Sequence, residues 1–456
     1  MNQINGKRLA EILEISLKML EKYPLCDNCL GRQFALLGFG LDNRERGRAI
    51  KTLLAMGAHE MALSKERKVK MKGIAVLKLL ATHGSFRVAA DLLRRMRRRV
   101  GEGEKCFLCE GQFDNIQVLI DKILENLREY EYDNFLVGIK LPLMIEEHED
   151  EFKAEFGVQY GESMKNEFSR VIGRELAQRT GKKAEYLKPQ IVILVNPFTR
   201  EVKIQSNSLF IAGRYRKLMR GITQSKWICI KCGGKGCERC NWTGKIYPES
   251  VEELIAKPIL DRTSGEETAF HAAGREDRDA RMLGRGRPFV IEIKKPKKRK
   301  LDLKELEEAI NEYAKGKVEV LNLRYADRNT VRKLKGMEDA QKIYRVIVKF
   351  DREITDEEIA KLEKELTDTT IYQRTPIRVL HRRSDRLREK HIYETKIKRL
   401  SNDSIEMKIR CQGGLYVKEL VTGDEGRTSP SVSEIINAKA TPMELDVLNV
   451  LAKKVI

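Results

Sequence analysis

The sequence predicts an α+β protein of several domains. Three observations carry that reading: helical periodicity through residues 1–110, a mixture of helical and strand patterns over 111–225, and strand-rich segments over 247–456. A chain of 456 residues exceeds one ordinary core, which points to two to four domains.

Apolar positions recur at helical spacing in LAEILEISLKML and FRVAADLLRRMRRRV, so 1–110 is expected to be a helical region. Arg94, Arg95, Arg97, Arg98 and Arg99 form a basic run there, for which a solvated helix face and a phosphate-contacting surface are equal accounts. Over 111–225, helices in NIQVLIDKILENLREY and MKNEFSRVIGRELAQRTG precede strands in PQIVILVNPFTREVKIQSNSLFIAG, as in a compact α/β module. GRYRKLMRG leaves that module as a basic, aromatic exit. A cysteine-rich insert fills 226–246. Beyond it, FVIEIKKPKKRKLDL, KIYRVIVKF, KIKRLSNDSIEMKIRCQGGLYVKEL and LDVLNVLAKKVI read as strands of an antiparallel or mixed sheet, with a helix at DEEIAKLEKELTD. The run KKPKKRK follows an apolar strand and contains proline, so it reads as a basic loop and not as a nuclear address.

Lysine plus arginine (88) exceeds aspartate plus glutamate (68) by 20. Dense ion pairing in a thermophile would explain the abundance of charge better than its sign; the imbalance favours a polyanionic partner, nucleic acid first. The first residues form a charged amphipathic pattern, not a signal peptide, and no apolar run approaches spanning length, so a cytoplasmic protein is expected.

Eight of the nine cysteines fall in four CxxC pairs, which in a reducing compartment indicates metal. CIKCGGKG and CERCNWTG are tandem octets that set Cys229, Cys232, Cys237 and Cys240 in two glycine-tightened knuckles. Four thiolates at this spacing suit a closed tetrahedral zinc site that staples a connector and leaves no position open for catalysis. Cys26 and Cys29, and Cys106 and Cys109, are each half of such a site, and a shared structural zinc would complete both. Cys411 is left over, as a buried thiol beside a strand.

Two aspartates, Asp277 and Asp279, sit among arginines in GREDRDARMLGRGRPF. A carboxylate among guanidiniums stays ionised at neutral pH, as a nucleophile requires, but spacing alone does not choose between them. This stretch, with KIYRVIVKF, QRTPIRVLHRRSDRLR and GGLYVKELVTGDEGRTSPSVSEI in that order, resembles the archaeal-type tRNA pseudouridine synthases that act on T-arm uridines 54 and 55. The preceding region is similar to their accessory half, with a zinc site on two CxxC pairs and a THUMP RNA-binding fold. The tandem octets lie outside the resemblance.

The resemblance implies a cofactor-free uridine isomerase whose partner is the tRNA T-arm. Its R-x-D motif implies Asp277 as the catalytic group with Arg275 as motif arginine, Asp279 becoming a loop-ordering acceptor. It implies that Tyr344 stacks on the flipped base, that Tyr416 borders the pocket and that Lys418 pairs with Asp277. Leu420 would be the apolar wall, and alternation along a strand would give Tyr416, Lys418 and Leu420 a common face. Arg382, Arg383, Arg386 and Arg388 form a basic block suited to phosphate contact. Attack at C1′, addition to C6 and proton removal from C2′ all remain open. Two other function classes compete: a zinc-stabilised RNA-binding protein without chemistry, which would tolerate loss of Asp277, and a THUMP-associated methyltransferase. For the latter, the nearest Gly-rich turn, LLGFGLDN, follows a helical segment and lacks an acidic partner.

Overall fold

A computed structural model describes residues 6–337 and 340–451. The chain divides into two compact units, 1–206 and 207–456. Among the described residues no helix is long and apolar enough to cross a membrane.

The first unit begins with helices at Gly6–Lys22, Asn43–Leu63, Arg67–Thr82, Arg87–Arg95 and Ile116–Leu127. Asp42 and Glu45 form a reciprocal capping box that fixes where the second of these starts. The basic run only half belongs to a helix: Arg94 and Arg95 close the Arg87–Arg95 helix, and Arg97 already has φ +53°. Next come strands β1 (Asn134–Ile139), β2 (Lys183–Ala184), β3 (Ile191–Asn196) and β4 (Glu201–Ser206), in the order β2-β1-β3-β4. β1 runs parallel to β2 and β3, and β4 returns antiparallel. Helices Leu143–Glu155 and Met164–Thr180 complete the unit, the second capped by Ser163 and stopped by Gly181 at φ +67°. Helix and sheet share one core, in which Phe113 and Phe168 stack at 4.1 Å.

The second unit is built on one sheet. Its strands are β5 (Leu209–Lys217), β6 (Glu267–Ala272), β7 (Arg281–Lys294), β8 (Val318–Ala326), β9 (Gln341–Phe350), β10 (Thr369–Arg374), β11 (Leu387–Ser401), β12 (Ser404–Cys411), β13 (Thr428–Ser429) and β14 (Ala440–Leu451). The order is β13-β10-β11-β12-β9-β14-β7-β5-β8, with β6 also paired to β7. Only the short β14–β7 contact is parallel, so the sheet is mixed. Alternation along β7 explains its position: Phe289, Ile291 and Ile293 enter the core under helices Val251–Thr263 and Leu303–Tyr313, whereas Val290 meets Val331 and Leu334 on the other face. Val346, Val348 and Phe350 of β9 pack against Leu362 and Leu366 of the expected helix, Asp356–Leu366.

Two expectations change. β5, grouped in the sequence with the strands before it, pairs instead with β7 and β8 and falls within the second compact unit. GLYVKEL is not a strand: the ladder of β12 stops at Cys411, Gly413 and Gly414 turn the chain, and Val417–Thr422 is a short helix stopped by Gly423 at φ +79°. Tyr416, Lys418 and Leu420 therefore do not share a face.

Candidate active site

The loop between β6 and β7 carries both aspartates. Gly274 has φ +79°, and a Cβ there would lie 3.2 Å from both Arg287 Nη1 and Lys342 Nζ, so the turn needs glycine. Side chains then alternate. Glu276 points inward and is buried, accepting from Tyr215 Oη at 2.9 Å and facing Arg287 Nε at 2.8 Å. Its neighbours Arg275 and Asp277 consequently face outward, into a cleft of about 830 Å³.

The exit segment GRYRKLMRG holds the loop from below. Lys217, fully buried, donates to the carbonyl oxygens of Ile222 and Asp277 at 3.0 Å and of Arg278 at 3.1 Å. Burial lowers its pKa to about 8. Arg220 Nη1 donates to the Asp279 carbonyl at 2.8 Å. The loop backbone is thus fixed by two cations, Lys217 bonded to main-chain oxygens and Arg220 held in turn by buried Asp446 at 2.7 Å.

Segments distant in the chain meet around the loop. Arg378, from the turn Ile377–Arg382, places Nη2 3.1 Å from Asp277 Oδ2 and Nε 2.6 Å from Glu419 Oε1. Burial works against the charge on Arg378, yet Glu419 and Asp277 raise its pKa. Lys418 Nζ lies 3.6 Å from Asp277 but donates to both oxygens of Asp279 at 2.8 and 2.6 Å. Burial opposes the Asp279 charge, and the Lys418 bonds more than offset it, holding this carboxyl below its ordinary value. The Asp279 side chain is 63% exposed against 38% for Asp277, so the rival aspartate is the more solvated.

Tyr344 on β9 lines the same cleft, with burial raising its pKa. Lys342, two residues earlier and so on the same face, is pushed down to about 8 by burial and then by Arg287. Tyr416 also lines the cleft. Its main chain is clamped by buried Gln373, which accepts from Tyr416 N at 2.8 Å and donates to its carbonyl at 3.0 Å. Its hydroxyl accepts from Arg383 at 2.8 Å. Arg388 lines the cleft too and donates to Thr375 Oγ1 at 2.9 Å, whereas Arg386 is exposed. The side chain of Arg382 lies outside the described residues. Arg275 sits over the Trp227 ring at 5.1 Å.

Leu420 is not a wall of this cleft. On a helix it points away from Lys418 and is fully buried with Val417, Val421 and Val432; Leu415, Val379 and Val447 supply the apolar lining instead. Cys411 is buried as expected, its thiol pushed up to about 12. The sequence reading missed Arg378, Glu276 and Lys217. Arg378 had a signal, since TPIRVL adjoins the basic block; the other two are recognisable only from partners distant in the chain.

Each cysteine quartet converges. Cys26, Cys29, Cys106 and Cys109 in the first unit have sulfurs within 4.8 Å of one another, as do Cys229, Cys232, Cys237 and Cys240 in the second, and either set could hold zinc. The first is assembled by close backbone packing. A Cβ on Gly31 would lie 1.8 Å from the Asn43 carbonyl, buried Lys51 ties the Leu25 carbonyl to Asp27, and Phe107 N donates to the Pro24 carbonyl at 2.7 Å to bring in the second pair.

With this geometry in place, comparison with known proteins is decisive. Residues 210–451 match the family model described as Pus10, C-terminal, and residues 119–196 match the Pus10 THUMP domain, archaeal. The chain belongs to the Pus10 family. A relative named tRNA pseudouridine synthase Pus10 from Methanocaldococcus jannaschii is 47% identical, covering 96% of this chain and 94% of its own. The Pus10 protein of Methanothermobacter marburgensis is 45% identical over 97% of this chain and 98% of its own, and that of Methanothrix thermoacetophila 39% identical over 97% and 95%.

Proposed function

We propose that this Pus10 family member isomerises uridine to pseudouridine in tRNA, at T-arm positions 54 and 55, with Asp277 as the catalytic carboxylate. One observation supports the reading above all: the R-x-D loop, Tyr344, Arg378 and the Tyr416–Lys418 segment, far apart in the chain, line a single cleft. The reaction breaks N1–C1′, joins C5 to C1′ and moves a proton from C5 to N1, so neither oxidant nor cofactor is needed. Asp277 attacks C1′, adds to C6 or takes the C2′ proton, in each case as a carboxylate, with the cations Arg378 at 3.1 Å and Lys418 at 3.6 Å beside it. Tyr344 gives the extruded base a face to replace lost stacking, and Tyr416 borders it. Arg275 completes the motif. Arg382, Arg383 and Arg388 take the phosphates beside the target nucleotide.

Around this catalytic domain, residues 247–456 with β5 added, the reading assigns a helical zinc region at 1–110, a THUMP-like RNA-binding domain after 111 and a zinc knuckle at 226–246. Both zinc ions are structural. The tRNA elbow is the docking partner, through the excess positive charge, and the enzyme works in the cytoplasm.

Unmodified tRNA transcript incubated with wild type and Asp277→Ala tests this. Carbodiimide adduct mapping should show pseudouridine at 54 and 55 with wild type and none with the variant. Product from Asp277→Ala would remove the catalytic assignment, and tRNA bound but unmodified by wild type would leave a zinc-stabilised RNA binder.

A further inference from the structure

The Cys229–Cys240 knuckle does not stand apart from the cleft. It is a hairpin whose neck is closed by a bridge between Ile228 and Lys245 and by Ile246 N donating to the Trp227 carbonyl at 2.9 Å. The neck sets two aromatic rings side by side, Trp227 and Tyr247, with centroids 5.7 Å apart. Each ring lies beneath an arginine of the catalytic loop: Arg275 Cζ is 5.1 Å from the Trp227 centroid and Arg278 Cζ is 5.0 Å from that of Tyr247. Both rings line the cleft, and Asp277 lies in the chain between the two arginines.

The knuckle has little to hold its own shape. Between Ile228 and Tyr247 only Cys229, Cys240 and Gly244 are buried, and Ile230 and Trp242 are open to solvent. Its two octets are packed through glycines: a Cβ on Gly244 would lie 2.2 Å from the Gly234 carbonyl, and one on Gly236 2.8 Å from that of Trp242. A segment of this size without an apolar core takes its folding free energy from the metal its thiolates hold. We infer that metal in the Cys229–Cys240 knuckle positions the catalytic loop, Trp227 and Tyr247 acting as the supports on which Arg275 and Arg278 rest while they present Asp277 to the uridine. This deepens the uridine-isomerase reading and depends on it. Trp227 and Tyr247 are positioning residues, and the knuckle becomes a wall of the active site.

The two tryptophans of the chain, Trp227 and Trp242, both belong to this segment, so fluorescence excited beyond the tyrosine absorption band reports on it alone. In full-length Trp242→Phe, that emission comes only from Trp227. Removing metal with a chelator, or replacing Cys232 and Cys237 together by serine, should red-shift that emission and open it to acrylamide quenching, and Arg275→Met should alter it with metal retained. Trp227→Leu should lower kcat on unmodified tRNA by about tenfold or more while KM moves much less, and Trp227→Phe should recover most of the loss. Unchanged Trp227 emission after proven metal loss, or wild-type kcat in both the double-serine variant and Trp227→Leu, would overturn the inference. Asp277→Ala separates the two failures. If it is inactive while the knuckle variants are fully active, only the inference falls; if it is active, the site assignment beneath it falls.

Discussion

Arg378 approaches Asp277 more closely than Lys418 does, at 3.1 Å against 3.6 Å, and it alone also grips buried Glu419. Arg378→Met should therefore lower kcat by about a hundredfold, the scale of losing one preorganised electrostatic partner. Single-turnover kinetics with labelled tRNA will separate this from binding, because loss confined to KM would mean that Arg378 touches only phosphate.

Lys418 donates to both oxygens of Asp279, so Asp279→Asn frees that ammonium to turn toward Asp277. Product should still form, with kcat reduced by less than about tenfold, whereas Lys418→Met should cost more than Asp279→Asn. The reverse ranking would make Asp279 the reacting carboxylate.

Lys217 links the loop to pH. The unfolded chain holds this proton with the ordinary lysine value of 10.5 and the folded chain with a value of about 8, lowered by burial. Between those values unfolding takes up a proton, so the group's contribution to stability rises with pH and is constant below about 8. Lys217→Met has no proton to exchange. Urea midpoints measured across that window should show wild type gaining on the variant as pH rises; parallel curves would mean that Lys217 keeps an ordinary pKa.

Leu420→Ala removes a fully buried side chain and should destabilise the second unit by about 2–5 kcal/mol, with kcat/KM unchanged below the melting transition. A specific kinetic defect in folded protein would return Leu420 to the cleft wall.

Metal analysis should find about two zinc ions per chain. Cys26→Ser with Cys106→Ser should remove one of them and lower the melting temperature of the first unit, with the Trp227 signal unaffected. A full complement of zinc after these substitutions would mean that this quartet binds none.

Much of this was legible because the signals were local. Helical period fixed Ile116–Leu127 and Asp356–Leu366, and alternation fixed β9 with Tyr344 on it. The octet spacing carried the second quartet outright. Failures came where tertiary pairing overrode local pattern. LFIAG is as apolar as the strands before it, and nothing in it states that its partners are β7 and β8, 70 or more residues onward. VKELV follows closely on the strand that ends at Cys411, but the Gly413–Gly414 turn and Gly423 bracket a six-residue helix, Val417–Thr422, instead. Glu276 sat unnoticed between two arginines and an aspartate because its partners, Tyr215 and Arg287, lie 61 and 11 positions away.

β14 sits between β9 and β7, and its Val447 pairs with Tyr344 on one side and Met282 on the other. The Tyr344 ring and the loop that bears Asp277 therefore belong to halves of the sheet that remain unjoined until residues 440–451 have been synthesised and inserted. A ribosome-bound nascent chain can complete its first unit while the sheet of the second is still open. Long-range pairing of this kind folds slowly, so the cleft closes last.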